Sequence, residues 1–103
     1  MLSLFVELES WVDRVRSTEG SELLHSFTYG RDDVSNRSAH VDFGSLQGGA
    51  TVSVWESGQV EAEFMIFDSM DRPIMISATI HSGEELRAIL DRVFAALLAA
   101  ESW

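Results

Sequence analysis

Two carboxylates on one strand face can share general-acid and general-base work. "VWESGQVEAEF", residues 54–64, offers Glu61 and Glu63 two positions apart, with Trp55 and Glu56 close by. Such catalysis needs the pair in a cleft that gives its two members different environments. Alternation instead leaves both on what reads as the open face of a strand. Other chemistry is no better served. His25, His40 and His81 fall in different elements with no His-x-x-x-His pair, and the chain has no cysteine, so no zinc-ligand pattern is present. Asp32-Asp33 and Asp68-x-x-Asp71 lack the spaced oxygens and central glycine of a calcium loop and read as turn-forming acids. Gly48-Gly49 lies between strands, where it cannot cradle a phosphate at a helix start, and no Gly-x-Ser-x-Gly elbow occurs. The expectation is a protein that is not an enzyme, with no cofactor and no metal.

Charge carries more information. Seventeen acidic residues face seven arginines and no lysine, for a net charge of −10. That sign excludes a nucleic-acid binder, whose phosphate contacts need cations, and an anionic lipid surface would repel it. Between Arg37 and Arg72 there is no basic residue, yet Asp42, Glu56, Glu61, Glu63, Asp68 and Asp71 all fall there. If that third of the chain folds as one sheet, the protein has an acidic side. The length of 103 residues predicts one domain over 1–103, and 46% hydrophobic residues suffice for a core. The opening "MLSLFVELESW" has no basic leader and no long apolar run, which predicts a cytoplasmic protein.

The elements follow from periodicity. Leu4, Phe5, Leu8, Trp11, Val12 and Val15 repeat at helical spacing within residues 2–18, with Trp11 in the core and Gly20 as a stop. "LLHSFTYG" (23–30) alternates Leu23, His25, Phe27 and Tyr29 against Leu24, Ser26 and Thr28. "AHVDFGS" (39–45) buries Ala39, Val41 and Phe43 and leaves His40 and Asp42 wet; His25 and His40 are candidate cross-strand neighbours. Around a Ser57-Gly58 turn, Val52, Val54, Val60, Ala62, Phe64 and Ile66 point inward. Thr51, Ser53, Trp55, Glu61, Glu63, Met65 and Phe67 point away. "IMISATI" (74–80) is a fifth strand with Ile74, Ile76, Ala78 and Ile80 buried. Ser82 and Glu85 form a capping box for a last helix carrying Leu86, Ile89, Leu90, Val93, Phe94, Leu97 and Leu98. Short connections make the strands antiparallel neighbours. The fold class expected is α+β, a two-layer domain in which a five-stranded antiparallel meander carries the N- and C-terminal helices on one face. The other face is left with Trp55, Glu61, Glu63, Met65, Phe67 and Met75, with His25 and Tyr29 nearby. Large apolar groups ringed by acids suit a binding surface.

"AHVDF", "TVSVWESGQVEAEFMIFDS" and "IHSGEELRAILDRVFAALL" together resemble the TriTu family of bacterial immunity proteins, with "ESWVDRV" similar to its N-terminal helix. The resemblance implies a cytoplasmic antitoxin that binds and neutralises a cognate toxin, an ADP-ribosyltransferase delivered by contact-dependent (type VI) secretion, across its NAD pocket. The matched positions are Val41, Asp42, Phe43, Trp55, Glu56, Ser57, Gly58, Glu63 and Asp68, of which Val41 and Phe43 read as core. Joined to the acidic face, they give a candidate toxin-binding set of Asp42, Trp55, Glu56, Glu61, Glu63, Met65 and Asp68, on a chain expected to be a monomer. "SELLHSFTYGRDDVSNRS" does not match the family, and "DSMDRP" lacks a glycine expected after its first aspartate. The competing reading is an acidic secretion chaperone that holds an extended effector segment.

Overall fold

A run of alternating strands joined by short connections has one simple solution, in which each strand pairs with the next. The computed structural model describes residues 4–18, 21–31, 33–44, 48–66 and 74–101. Helix α1 (Leu4–Arg16) leads through a 3-10 turn (Ser21–Leu23) into strands β1 (Leu24–Tyr29), β2 (Ser38–Gly44), β3 (Gly48–Trp55), β4 (Gln59–Ile66) and β5 (Ile74–Thr79), and helix α2 (Gly83–Glu101) closes the chain. The sheet order is β1-β2-β3-β4-β5 with every pair antiparallel, the α+β meander expected from the sequence. The stop expected at Gly20 lies outside the described residues.

Both helices lie on one sheet face, α1 against β1 and α2 against β3 and β4, and they pack on each other. The core between the layers takes Leu8, Trp11 and Val12 from α1, Leu86, Leu90 and Leu97 from α2, and the inward rows Val41 and Phe43, Val52 and Val54, Val60 and Ala62 from the sheet. The Trp11 ring meets Phe43 and Phe94 edge-on at 5.6 and 5.7 Å, and its indole N–H donates to Asp91 Oδ1 at 2.8 Å. An Arg87–Glu7 ion pair at 2.8 Å ties α2 to α1. At the start of α2, Glu85 N–H donates to Ser82 Oγ at 3.2 Å and the Glu85 carboxylate accepts from His81 N–H at 2.6 Å, a capping box displaced by one residue on its return bond.

Two sequence expectations need correction. Ile74, expected in the core, is 53% exposed, and Ile76 and Ala78 are only half-buried. The cause is place in the sheet: β5 is the last strand, beside the rows that α2 covers, so its inward side chains reach past the edge of the helical layer. Ile80 is buried but follows the end of β5. The second correction concerns β1. A bulge between Leu24 and Ser26 sets His25 and Ser26 against the single residue Asp42. Past it, Phe27 and Tyr29 face the helices: Tyr29 stacks edge-on with Phe5 at 5.6 Å and its hydroxyl donates to Glu9. Tyr29 therefore belongs to the helical side, not to the open face.

The β3–β4 hairpin closes on Gly58, whose φ of 98° is a conformation that side chains disfavour. Its N–H donates to Trp55 O at 2.9 Å and its carbonyl accepts from Ile80 N–H at 2.8 Å. A Cβ here would stand 2.5 Å from Ile80 O. Gly58→Ala is expected to cost about 1–3 kcal/mol, read as a lower urea midpoint at unchanged slope; a midpoint equal to the parent's would contradict it.

Candidate functional site

The open sheet face is built by the side chains that alternate away from the core. Register places them in two cross-strand rows. One runs Thr28, His40, Ser53, Glu61, Ser77, and the other Ser26, Asp42, Thr51, Glu63, Met75. Each row is one chain of neighbours about 4.8 Å apart, so the acids of β4 and the acid of β2 share one surface.

The predicted residues fall as follows. Asp42 sits mid-sheet and accepts from Ser26 Oγ at 2.9 Å and Thr51 Oγ1 at 2.8 Å. Glu61 and Glu63 are exposed on β4, and Gln59 Nε2 donates to Glu61 at 3.3 Å. Met65, 37% exposed, extends the face toward the end of β4, and Met75 on β5 is 66% exposed. Trp55 lies half-buried at the far end of β3, opposite Ser38, its ring edge-on to His40 at 6.4 Å. Glu56 is separated from the cluster: it sits in the turn beyond Trp55, 3.8 Å from Arg37, and its N–H donates to Arg37 O. Asp68 and Phe67 lie outside the described residues. The structure thus brings Asp42, Glu61, Glu63 and Met65 together, with Trp55 at the rim.

Sequence reasoning missed the polar lattice between these groups. His40 Nδ1 is hydrogen-bonded with Ser53 Oγ at 2.8 Å and Nε2 with Ser38 Oγ at 3.1 Å, which holds the ring beside Trp55. His25 and His40 are not neighbours. His40 pairs with Thr28, whereas the His25 ring lies over Gly44, where a Cβ would stand 2.8 Å from its Cε1. Gly49, opposite Gly44 on β2, has no side chain and lines a depression of about 310 Å³ beside Asp42, Thr51, Glu63 and Met65. Pairing, not alternation alone, would have been needed to find it.

Ion pairing of the described acids lies away from the open face. Arg31 donates through Nε and Nη2 to Asp33 and holds that exposed carboxyl below the ordinary carboxylate range. Arg37 stands by Glu56, Arg16 by Asp13 and Arg87 by Glu7. Among the described residues no cation forms an ion pair with Asp42, Glu61 or Glu63. No three His, Asp or Glu side chains gather as a cation site among the described residues, and no helix there is long and apolar enough to cross a membrane.

A family model described as immunity protein TriTu matches residues 6–96, most of both helices and the whole sheet between them. The chain belongs to this immunity-protein family. No curated protein and no solved structure matches it. Membership in the TriTu family implies a toxin protein as partner and a toxin-neutralising role. The matched span includes the stretch before Ala39 and so takes in β1.

Proposed function

We propose that this TriTu family protein acts in the cytoplasm as a monomer, binding its cognate toxin domain one-to-one through the open sheet face. In this reading the toxin is an ADP-ribosyltransferase, and the acidic face blocks the cationic groups that hold NAD phosphates. The supporting observation is the arrangement of charge: Asp42, Glu61 and Glu63 share one face with no ion pair among the described residues, while four arginines are paired elsewhere. A positively charged pocket is the complement of such a surface, with Trp55 as an aromatic anchor at its rim. The depression beside Glu63 and Met65 suits one long basic side chain of the toxin. Action is by occupancy, not by catalysis.

Co-expression with the protein encoded by the adjoining reading frame, expected to carry the toxin domain, tests this. Relief of toxicity with a stoichiometric complex is expected; undiminished toxicity refutes the reading. A dimer that binds an unfolded effector segment and ignores the folded toxin domain would favour the secretion chaperone. Steering through an acidic face also predicts salt dependence, because the screening length shrinks from roughly 30 Å at about 0.01 M salt to roughly 3 Å at about 1 M. The association rate should fall at least about tenfold over that range; a flat rate would remove the electrostatic role.

A further inference from the structure

An edge strand presents unpaired amides and carbonyls, and proteins usually blunt it with charges, proline, bulges or a covering element. At the β1 edge a bulge interrupts the pairing and α1 packs alongside. Among the described residues the β5 edge shows neither device. Its six residues, "IMISAT", contain no charged residue and no proline, and its register with β4 runs without a break from Gln59–Thr79 to Phe64–Ile74. Both of its first side chains, Ile74 and Met75, are exposed, on opposite faces. Among the described residues no strand pairs with its outer side.

The hydrogen-bond phase tells which groups are free. Ile80 N–H donates to Gly58 O at 2.8 Å, so residues two apart from Ile80 also turn their backbone groups into the ladder: Ala78, Ile76 and Ile74. The amides and carbonyls of Met75, Ser77 and Thr79 therefore point outward. These are the same residues whose side chains lie on the acidic face, with Ser77 opposite Glu61 and Met75 opposite Glu63.

We infer that the β5 edge receives an extended segment of the cognate toxin as a sixth strand, with basic side chains alternating with apolar ones. The inference rests on the toxin-binding reading above and specifies its geometry. Residues of the added strand that bond Met75, Ser77 and Thr79 fall on the acidic face, where an arginine or lysine opposite Ser77 extends over that short side chain to Glu61. The residues between them fall on the helical side and cover Ile74 and Ile76. A second copy of this chain is the poorer occupant, since each copy carries a charge of −10.

Amide hydrogen exchange on the full chain, free and bound to the toxin domain that it neutralises, tests the inference. Exchange at Met75, Ser77 and Thr79 should slow at least about tenfold in the complex. Ser77→Pro, which removes an outward amide and no ladder bond, should weaken binding at least about tenfold, while Ser77→Ala, which keeps the amide, stays within about twofold. A neutralising complex in which these three amides exchange as in the free chain overturns the inference and leaves the toxin-binding reading standing. So does protection that grows with concentration of the free chain, which assigns the edge to a second copy. A chain that neutralises no toxin overturns both. If Ser77→Pro fails to fold, the exchange data on the parent chain decide alone.

Discussion

Replacing Glu61 and Glu63 together by arginine is expected to raise the dissociation constant of the toxin complex at least about 100-fold, roughly 2.7 kcal/mol. The chain itself should stay folded. Both carboxylates are exposed, neither is in an ion pair among the described residues, and the one hydrogen bond at Glu61 is a 3.3 Å contact from Gln59. Two like charges on one strand are replaced by two like charges of the other sign, so the local repulsion is unchanged, and a residue 63 arginine gains Asp42 two strands away. The folding change should stay within about 0.5 kcal/mol. Toward a cationic pocket the consequence is larger, because two attractions become two repulsions in a surface that binding dries. Titration calorimetry and a thermal melt on the same variant separate the outcomes. Unchanged affinity would remove the β4 acids from the interface, and a collapsed melt would make them structural.

Trp11→Ala is expected to lose about 3–5 kcal/mol of stability, a large part of what a domain this size has. Trp11 is 3% exposed and its ring is held by Phe43 and Phe94 from the sheet and α2. Truncation opens a cavity where α1, α2 and β2 meet, and it strips Asp91 of its indole donor. Trp55→Ala should behave in the opposite way. That ring is half-buried at the end of β3, with an edge-on contact to His40 as its aromatic partner, so stability should fall by about 1 kcal/mol or less. If Trp55 anchors the toxin, its loss should cost about 2 kcal/mol or more of binding. Urea unfolding and toxin titration of the two variants make the comparison. A Trp11→Ala variant as stable as the parent would place the core elsewhere, and a Trp55→Ala variant that binds normally would leave that ring without the proposed role.

The boundary between what sequence and tertiary structure decide runs through particular residues. Alternation in "TVSVWESGQVEAEF" was enough to separate Val52, Val54, Val60 and Ala62 from Trp55, Glu61 and Glu63, because a hairpin pinned by Gly58 allows one register and one inward row. The 3.6-residue stripes of both helices and the Ser82–Glu85 cap are likewise local, set by short-range geometry, and apart from Leu98, which is 39% exposed near the end of α2, they pack where their residue types demand. The α+β order follows from these pieces, since short connections leave little choice of topology. Family kinship was also legible from motif order, and the family match over residues 6–96 agrees with it.

Three features were decided by packing between distant segments. The bulge at His25 puts Leu24 and His25 out of phase with the rest of β1, and Tyr29, expected near the open face, lies with Phe27 on the helical side against Phe5. Ile74 has the pattern of a buried residue, yet a helical layer of finite width ends before it, and only the sheet order reveals that. The glycine-floored depression and the lattice of Asp42 with Ser26 and Thr51 join residues from three strands that no spacing rule connects. By itself the sequence determined which residues are charged, which are apolar and how each element is phased. Which of them share a surface depends on register and layer width, and those are set by the competition of all five strands and two helices for one core.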